Sequence, residues 1–217
     1  MKDRPIIFSV PMVRAILDGR KTQTRRIVKP QPCFVGAFEY WHEVPMLSPE
    51  HIVRRCPYGV PGDRLWVREQ LRGDGQPGNR RVGITRYGAD GDMVLPHCCC
   101  GAVICKCGEN AIRADHIWNW KNAALPSIHM PRWASRITLE VTGVRVERLQ
   151  DISENDAKAE GVTDEFASET WMQSMGGALC GRQYRYGFQI VWDSINSKRA
   201  PWESNPWVWC ISFRRTA

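Results

Sequence analysis

Arg136-Ile137-Thr138-Leu139-Glu140-Val141-Thr142-Gly143-Val144-Arg145-Val146-Glu147-Arg148-Leu149 carries the clearest β pattern in the chain. Ile137, Leu139 and Val141 share one parity and Val144 and Val146 the other, the period of two that alternating side chains produce in a strand. Gly143 stands at the change of phase. A one-residue shift of face at a glycine is what a bulge or bend in a curved sheet produces, and it favours a small barrel over a flat layer. At the end of the sequence, Trp207-Val208-Trp209-Cys210-Ile211-Ser212-Phe213 alternates as a closing strand, with Trp207, Trp209, Ile211 and Phe213 on one face. Pro5-Ile6-Ile7-Phe8 supplies a short strand near the start. Strands at both ends with helices between them predict an α+β fold, a small mixed β-barrel with flanking helices.

The helices can be placed from caps and spacing. Ser9 caps a helix in which Val13, Ile16 and Leu17 form one apolar face, and Gly19 stops it. Five prolines from Pro30 to Pro57 then mark a mostly irregular connection, and Pro61-Gly62-Asp63 turns into a strand candidate, Arg64–Arg68. Ser153 caps a short polar helix from Glu154 that ends at Gly161. A later helix places Tyr184, Phe188, Val191, Trp192 and Ile195 at core spacing. From Gly73 to about Trp133 no period holds, which reads as an irregular, Cys-rich inserted subdomain. The expected division is therefore 1–72 with 134–217 for the barrel and 73–133 for the insertion.

The chain has 217 residues, 43% hydrophobic and 24% charged, enough apolar material for a core and too little bias for a disordered or fibrous protein. It lacks the roughly 18 consecutive apolar residues of a spanning helix, and Met1-Lys2-Asp3-Arg4-Pro5 does not open a signal peptide. The expectation is a cytoplasmic chain without a membrane partner. The net charge of +7 is concentrated in residues 1–30, which suits a polyanion or, equally, a solvated face. Nine cysteines without a signal peptide point to reduced thiols or metal. His97-Cys98-Cys99-Cys100-Gly101 and Cys105-Lys106-Cys107-Gly108 offer thiolates with glycines between them, and Cys98, Cys100, Cys105 and Cys107 are the candidate ligands of a structural zinc ion. A reduced, thiol-rich loop tip is the competing reading, and Cys33, Cys56 and Cys180 are spare donors.

Four features occur in order: a helix running into Gly19-Arg20-Lys21-Thr22-Gln23-Thr24-Arg25, the Pro61-Gly62-Asp63 turn into a strand, the 136–149 strand feeding an acidic helix, and a final hydrophobic strand. This order resembles the ASCH domain, a small barrel related to the PUA fold of RNA-modification proteins, over residues 5–30, 58–71, 136–162 and 205–215. The whole chain resembles the larger ASCH-type proteins of phages and prophages, which implies a bacterial host cell. The small ASCH proteins that deacetylate N4-acetylcytidine carry the same Gly-Arg-Lys-Thr-x-Thr run. That resemblance implies Lys21 as activating base, Thr24 as nucleophile and Glu160 as proton carrier, with Glu154 and Asp156 as alternatives to Glu160 along the same helix. Such a set suits amide hydrolysis, because a threonine hydroxyl needs a neighbour to take its proton and a lysine can do so only when its pKa is lowered. Three functions follow as expectations. The chain binds RNA or a modified nucleoside in a basic groove through Arg20, Arg25, Arg26 and Trp66; or it is an N4-acylcytidine amidohydrolase; or it is a phage accessory protein that docks a host protein.

Overall fold

The computed structural model describes residues 1–31, 33–35, 38–41, 44–45, 53–73, 85–92, 94, 124–175 and 181–216. Its strands are β1 (Asp3–Ile7), β2 (Gln23–Ile27), β3 (Cys33–Val35), β4 (Phe38–Trp41), β5 (Val44–Pro45), β6 (Arg64–Arg68), β7 (Leu71–Gly73), β8 (Thr85–Tyr87), β9 (Ala124–Leu125), β10 (Thr138–Arg148) and β11 (Trp207–Thr216). Among the described residues, four α-helices accompany them: α1 (Val10–Leu17), α2 (Glu154–Ala159), α3 (Asp164–Met175) and α4 (Gln183–Asn196). The fold is α+β, as the alternation and helix spacing predict. Five strands form one sheet in the order β1-β6-β10-β11-β2.

The sheet is not a closed barrel: β1 and β2 are its two edges, and no pairing among the described residues joins them. β10 passes through Gly143, where an added Cβ would meet the Ser212 side chain of β11 at 3.7 Å, an ordinary contact. Before it, Leu139 and Val141 are core; after it, Arg145 and Glu147 are ion-paired groups.

The chain divides into two compact units. The first comprises Met1–Lys2, Ala15–Arg64 and Leu139–Thr216. Within it β11 pairs antiparallel with β2, Val208 opposite Ile27 and Ser212 opposite Gln23. β11 is buried on both faces. Val208 and Cys210 join Leu149, Ile152, Phe188, Trp192 and Trp202 in one core cluster, while Trp209, Ile211 and Phe213 are buried on the opposite parity. Each such side chain withdrawn from water contributes about 1.5–3 kcal/mol. Phe188 and Trp192 of α4 are core, as their spacing predicts, but Ile195 is exposed because the helix has turned its last apolar position past the cluster. The segment expected to be irregular after Pro30 contains the antiparallel meander β3-β4-β5.

The second unit comprises Asp3–Arg14 and Leu65–Thr138. Its small sheet, β8-β7-β9, covers a core of Leu71, Tyr87, Val94, Leu125, Met130 and Ala134. Arg136 is its polar hub: the guanidinium grips Glu69 at 3.0 and 3.1 Å and Asp90 at 2.7 and 3.0 Å, and lies 3.8 Å over the Tyr87 ring. Burial pushes the Tyr87 phenol up to about 12, and its hydroxyl donates to the Ala134 carbonyl. Most of the expected insertion, including Cys98, Cys99, Cys100, Cys105 and Cys107, lies outside the described residues. No helix among the described residues is long and apolar enough to cross a membrane.

Candidate functional site

The first unit gathers its functional side chains where the end of α1, the start of β2 and the end of α2 meet. Gly19 turns the chain after α1 with a φ of 72°. The Lys21 N–H then donates to the Ala15 carbonyl, the Thr22 N–H to the Ala159 carbonyl, and the Phe213 N–H to the Thr22 carbonyl. Three backbone bonds thus fix the two residues that precede β2. On the other side, the Ser153 hydroxyl caps α2 by accepting from the Asp156 N–H at 3.1 Å. Gly161 ends the turn after α2 with a φ of 99°, and a Cβ there would sit 3.1 Å from the Ala15 Cβ and 3.3 Å from the Lys21 Cβ. Only glycine allows the helix end to approach Lys21 so closely.

Glu160, the residue at the C-terminal cap of α2, receives that approach. Lys21 Nζ donates to its Oε2 at 2.6 Å and to its carbonyl at 2.8 Å, and both side chains are almost wholly withdrawn from solvent. Arg25 Nη1 donates to Glu160 Oε1 at 3.2 Å and to Gln23 Oε1 at 2.8 Å. Behind it, Arg25 Nε and Nη2 hold Glu147 Oε1 at 3.0 and 2.5 Å. Arg145 closes the network on Glu147 Oε2 at 2.9 Å and Asp156 Oδ2 at 2.8 Å. Cys210, opposite Arg25 across the strands, adds a thiol to the Glu147 side.

Charges at this density shift one another. Burial pushes the Lys21 ammonium below the ordinary lysine value; Glu160 opposes the shift, and Arg26 and Arg25 reinforce it. Burial would raise the Glu147 carboxyl, but hydrogen bonding with Cys210 and the Arg25 charge hold it below the usual carboxylate range. Burial drives the Cys210 thiol well up, so it stays protonated. Arg26 is itself disfavoured by burial, and Tyr58 and Glu160 support its charge. Lys21, Arg25 and Arg145 share Glu147, Asp156 and Glu160 through these ion pairs.

The predicted site residues fall into distinct places. Lys21 and Glu160 meet directly. Of the alternatives along α2, Glu154 instead accepts from the Tyr184 and Arg185 N–H groups at 2.9 and 3.1 Å and so caps α4, while Asp156 pairs with Arg145. Arg25 faces inward with a fully buried side chain and holds carboxylates. Thr24 and Arg26 alternate onto the opposite face of β2, where their cross-strand neighbours are Ile211 and Trp209. Thr24 is buried and Arg26 half-buried. Arg20 is exposed, pairing with Asp18 at 2.7 Å and reaching the Gly161 carbonyl at 3.3 Å. Trp66 belongs to the second unit, between Arg68 and Arg132. No group of three or more potential metal ligands occurs among the described residues, and the cysteines proposed for zinc lie outside them. Arg145, Glu147 and Tyr58 are additions of the structure. For Arg145 and Glu147 the sequence signal was the odd parity of β10, which starts apolar and ends charged.

Comparison with protein-family models, curated proteins and solved structures finds no match to this chain.

Proposed function

We propose that the first unit binds RNA or a modified nucleoside at an ASCH-type, PUA-like site built from Lys21, Thr24, Arg26 and Glu160. The observation that carries this reading is the convergence of Lys21 and Arg25 on the one carboxylate of Glu160, within reach of the charge of Arg26. Arg25 holds that carboxylate from the inside, and Lys21 and Arg26 add their positive charge around it, a field that suits an anion or an electron-rich base. Tyr58, close to Arg26, supplies an aromatic group of the type that packs against a base.

The lowered pKa of Lys21 favours a second reading, amide hydrolysis of an N4-acylated cytosine. In that reaction neutral Lys21 takes the Thr24 hydroxyl proton as the oxygen attacks the acyl carbon. The bond from that carbon to the exocyclic nitrogen breaks, and Glu160 relays the proton that Lys21 took from Thr24 to the departing amine. Water then cleaves the acyl-Thr24 ester, releasing the carboxylic acid and restoring the hydroxyl.

N4-acetylcytidine incubated with the wild type and with Lys21→Ala and Thr24→Ala, with products read by mass spectrometry and binding by calorimetry, tests both. Cytidine formed by the wild type and by neither variant establishes hydrolysis at this site. Saturable heat of binding without turnover, lost in Lys21→Ala, leaves the binding reading. Absence of both heat and turnover with nucleosides and with single-stranded RNA overturns them together.

A further inference from the structure

We infer that Trp66, Arg68 and Arg132 form a separate docking site for the phosphate backbone of a single-stranded nucleic acid. The inference concerns the second unit and does not depend on the chemistry at Lys21.

β6 alternates strictly: Leu65 and Val67 are buried, while Trp66 and Arg68 occupy the outward parity and are half-buried. Arg132, which follows Pro131 in a short 3₁₀ turn, comes back over the same indole. The Arg68 guanidinium lies 5.4 Å and the Arg132 guanidinium 5.5 Å from the Trp66 ring centroid. Two like charges held on one ring repel each other, and exposed cation–π contacts offset only part of that repulsion. Their counter-charges are sparse. Arg68 donates to the neutral Ile128 carbonyl, and among the described residues no carboxylate pairs with it. Arg132 meets Asp3 at 3.2 Å, with both side chains about half exposed, so solvent screens that pair.

The arrangement is preorganised for an anion that spans two guanidinium forks. Each fork matches phosphate oxygens bidentately, and the indole limits the freedom of both side chains before anything binds. A lone phosphate engages one fork; consecutive phosphates of one strand engage both. Ile128, exposed beside Arg68, and the half-buried indole give the accompanying base an apolar surface.

The test is fluorescence anisotropy of a labelled oligouridylate between about 50 and 200 mM salt. It compares the wild type with Arg68→Gln/Arg132→Gln, Arg68→Lys/Arg132→Lys, Trp66→Ala and Lys21→Ala, each checked for folding by circular dichroism. Loss of two phosphate contacts should reduce the slope of log affinity against log salt by about 1.4 in the glutamine pair. The lysine pair should keep the slope with weaker binding, and Trp66→Ala should weaken binding by disordering both forks. The glutamine pair should lower the slope by the same amount when it is made in the Lys21→Ala background, which separates this site from the one at Lys21. An unchanged slope and affinity in the glutamine pair overturns the proposal. So does an equal dependence on these residues for a labelled polyglutamate peptide, which would make the occupant an acidic protein segment.

Discussion

Lys21 sits in a place where neither of its protonation states is comfortable. Charged, it has Glu160 but no water; neutral, it leaves a carboxylate shared with Arg25. Removing one member of a buried pair costs about 3–5 kcal/mol, because the other is left without its partner, whereas replacing both by apolar groups of similar volume is close to neutral. Lys21→Met is therefore expected to lose most of that amount in urea unfolding, and Lys21→Met with Glu160→Leu to recover a large part of it. Equal losses in the single and double variants would show that the pair is not the interaction that matters. The lowered pKa of Lys21 also sets a pH dependence of known sign. Between the lowered value and the ordinary one of 10.5, the unfolded chain binds more protons at this residue than the folded chain does. Stability from this residue consequently rises with pH across that window and is level below the lowered value. The difference in unfolding free energy between wild type and Lys21→Met should grow as pH rises toward 10.5. Parallel curves would mean that burial does not shift the lysine.

α2 has six residues and would not hold as an isolated helix, so its ends carry the burden. Ser153→Ala removes the cap and should cost about 1 kcal/mol, measured as a shift of the urea midpoint. Gly161→Ala forces a Cβ into a left-handed backbone and against Lys21. It should cost about 1–2 kcal/mol from the backbone alone and disturb ligand binding more than Ser153→Ala does. Equal effects of the two on binding would reduce Gly161 to a simple helix stop. The ends of α2 were readable from sequence, since Ser153 and Gly161 are ordinary cap residues, while Glu160 came into consideration only through the resemblance to the small ASCH proteins. β2 was not. Gln23-Thr24-Arg25-Arg26-Ile27 looks like a solvated basic run, because nothing local says that its arginines are buried against carboxylates from β10 and α2. The same blindness explains Arg25, expected to face a ligand and found holding Glu160, and Glu147, hidden in a strand read for its valines. Ion-paired interiors depend on partners far away in sequence, and periodicity records only which side chains avoid water.

For the molecule as a whole, the cysteine-rich stretch is the part whose contribution an experiment must supply. A structural zinc ion at Cys98, Cys100, Cys105 and Cys107 should appear in stoichiometric amount in metal analysis. Chelation should then lower the melting temperature while leaving ligand binding at Lys21 in place. A metal-free protein of unchanged melting temperature removes zinc from the account. The main sheet has a different consequence. Gln23 donates to Ser212, 189 positions away, and among the described residues β2 has β11 as its one neighbour in the sheet. At ribosomal rates of about 5–20 residues per second, roughly 10–40 s separate the synthesis of the two strands. Through that interval Lys21 is an ordinary hydrated ammonium on an unpaired segment, and Glu160 has yet to be made for most of it. The chemistry of this site is thus acquired last. A nascent chain halted before β11 should expose Lys21 to amine-reactive reagents that the finished protein excludes.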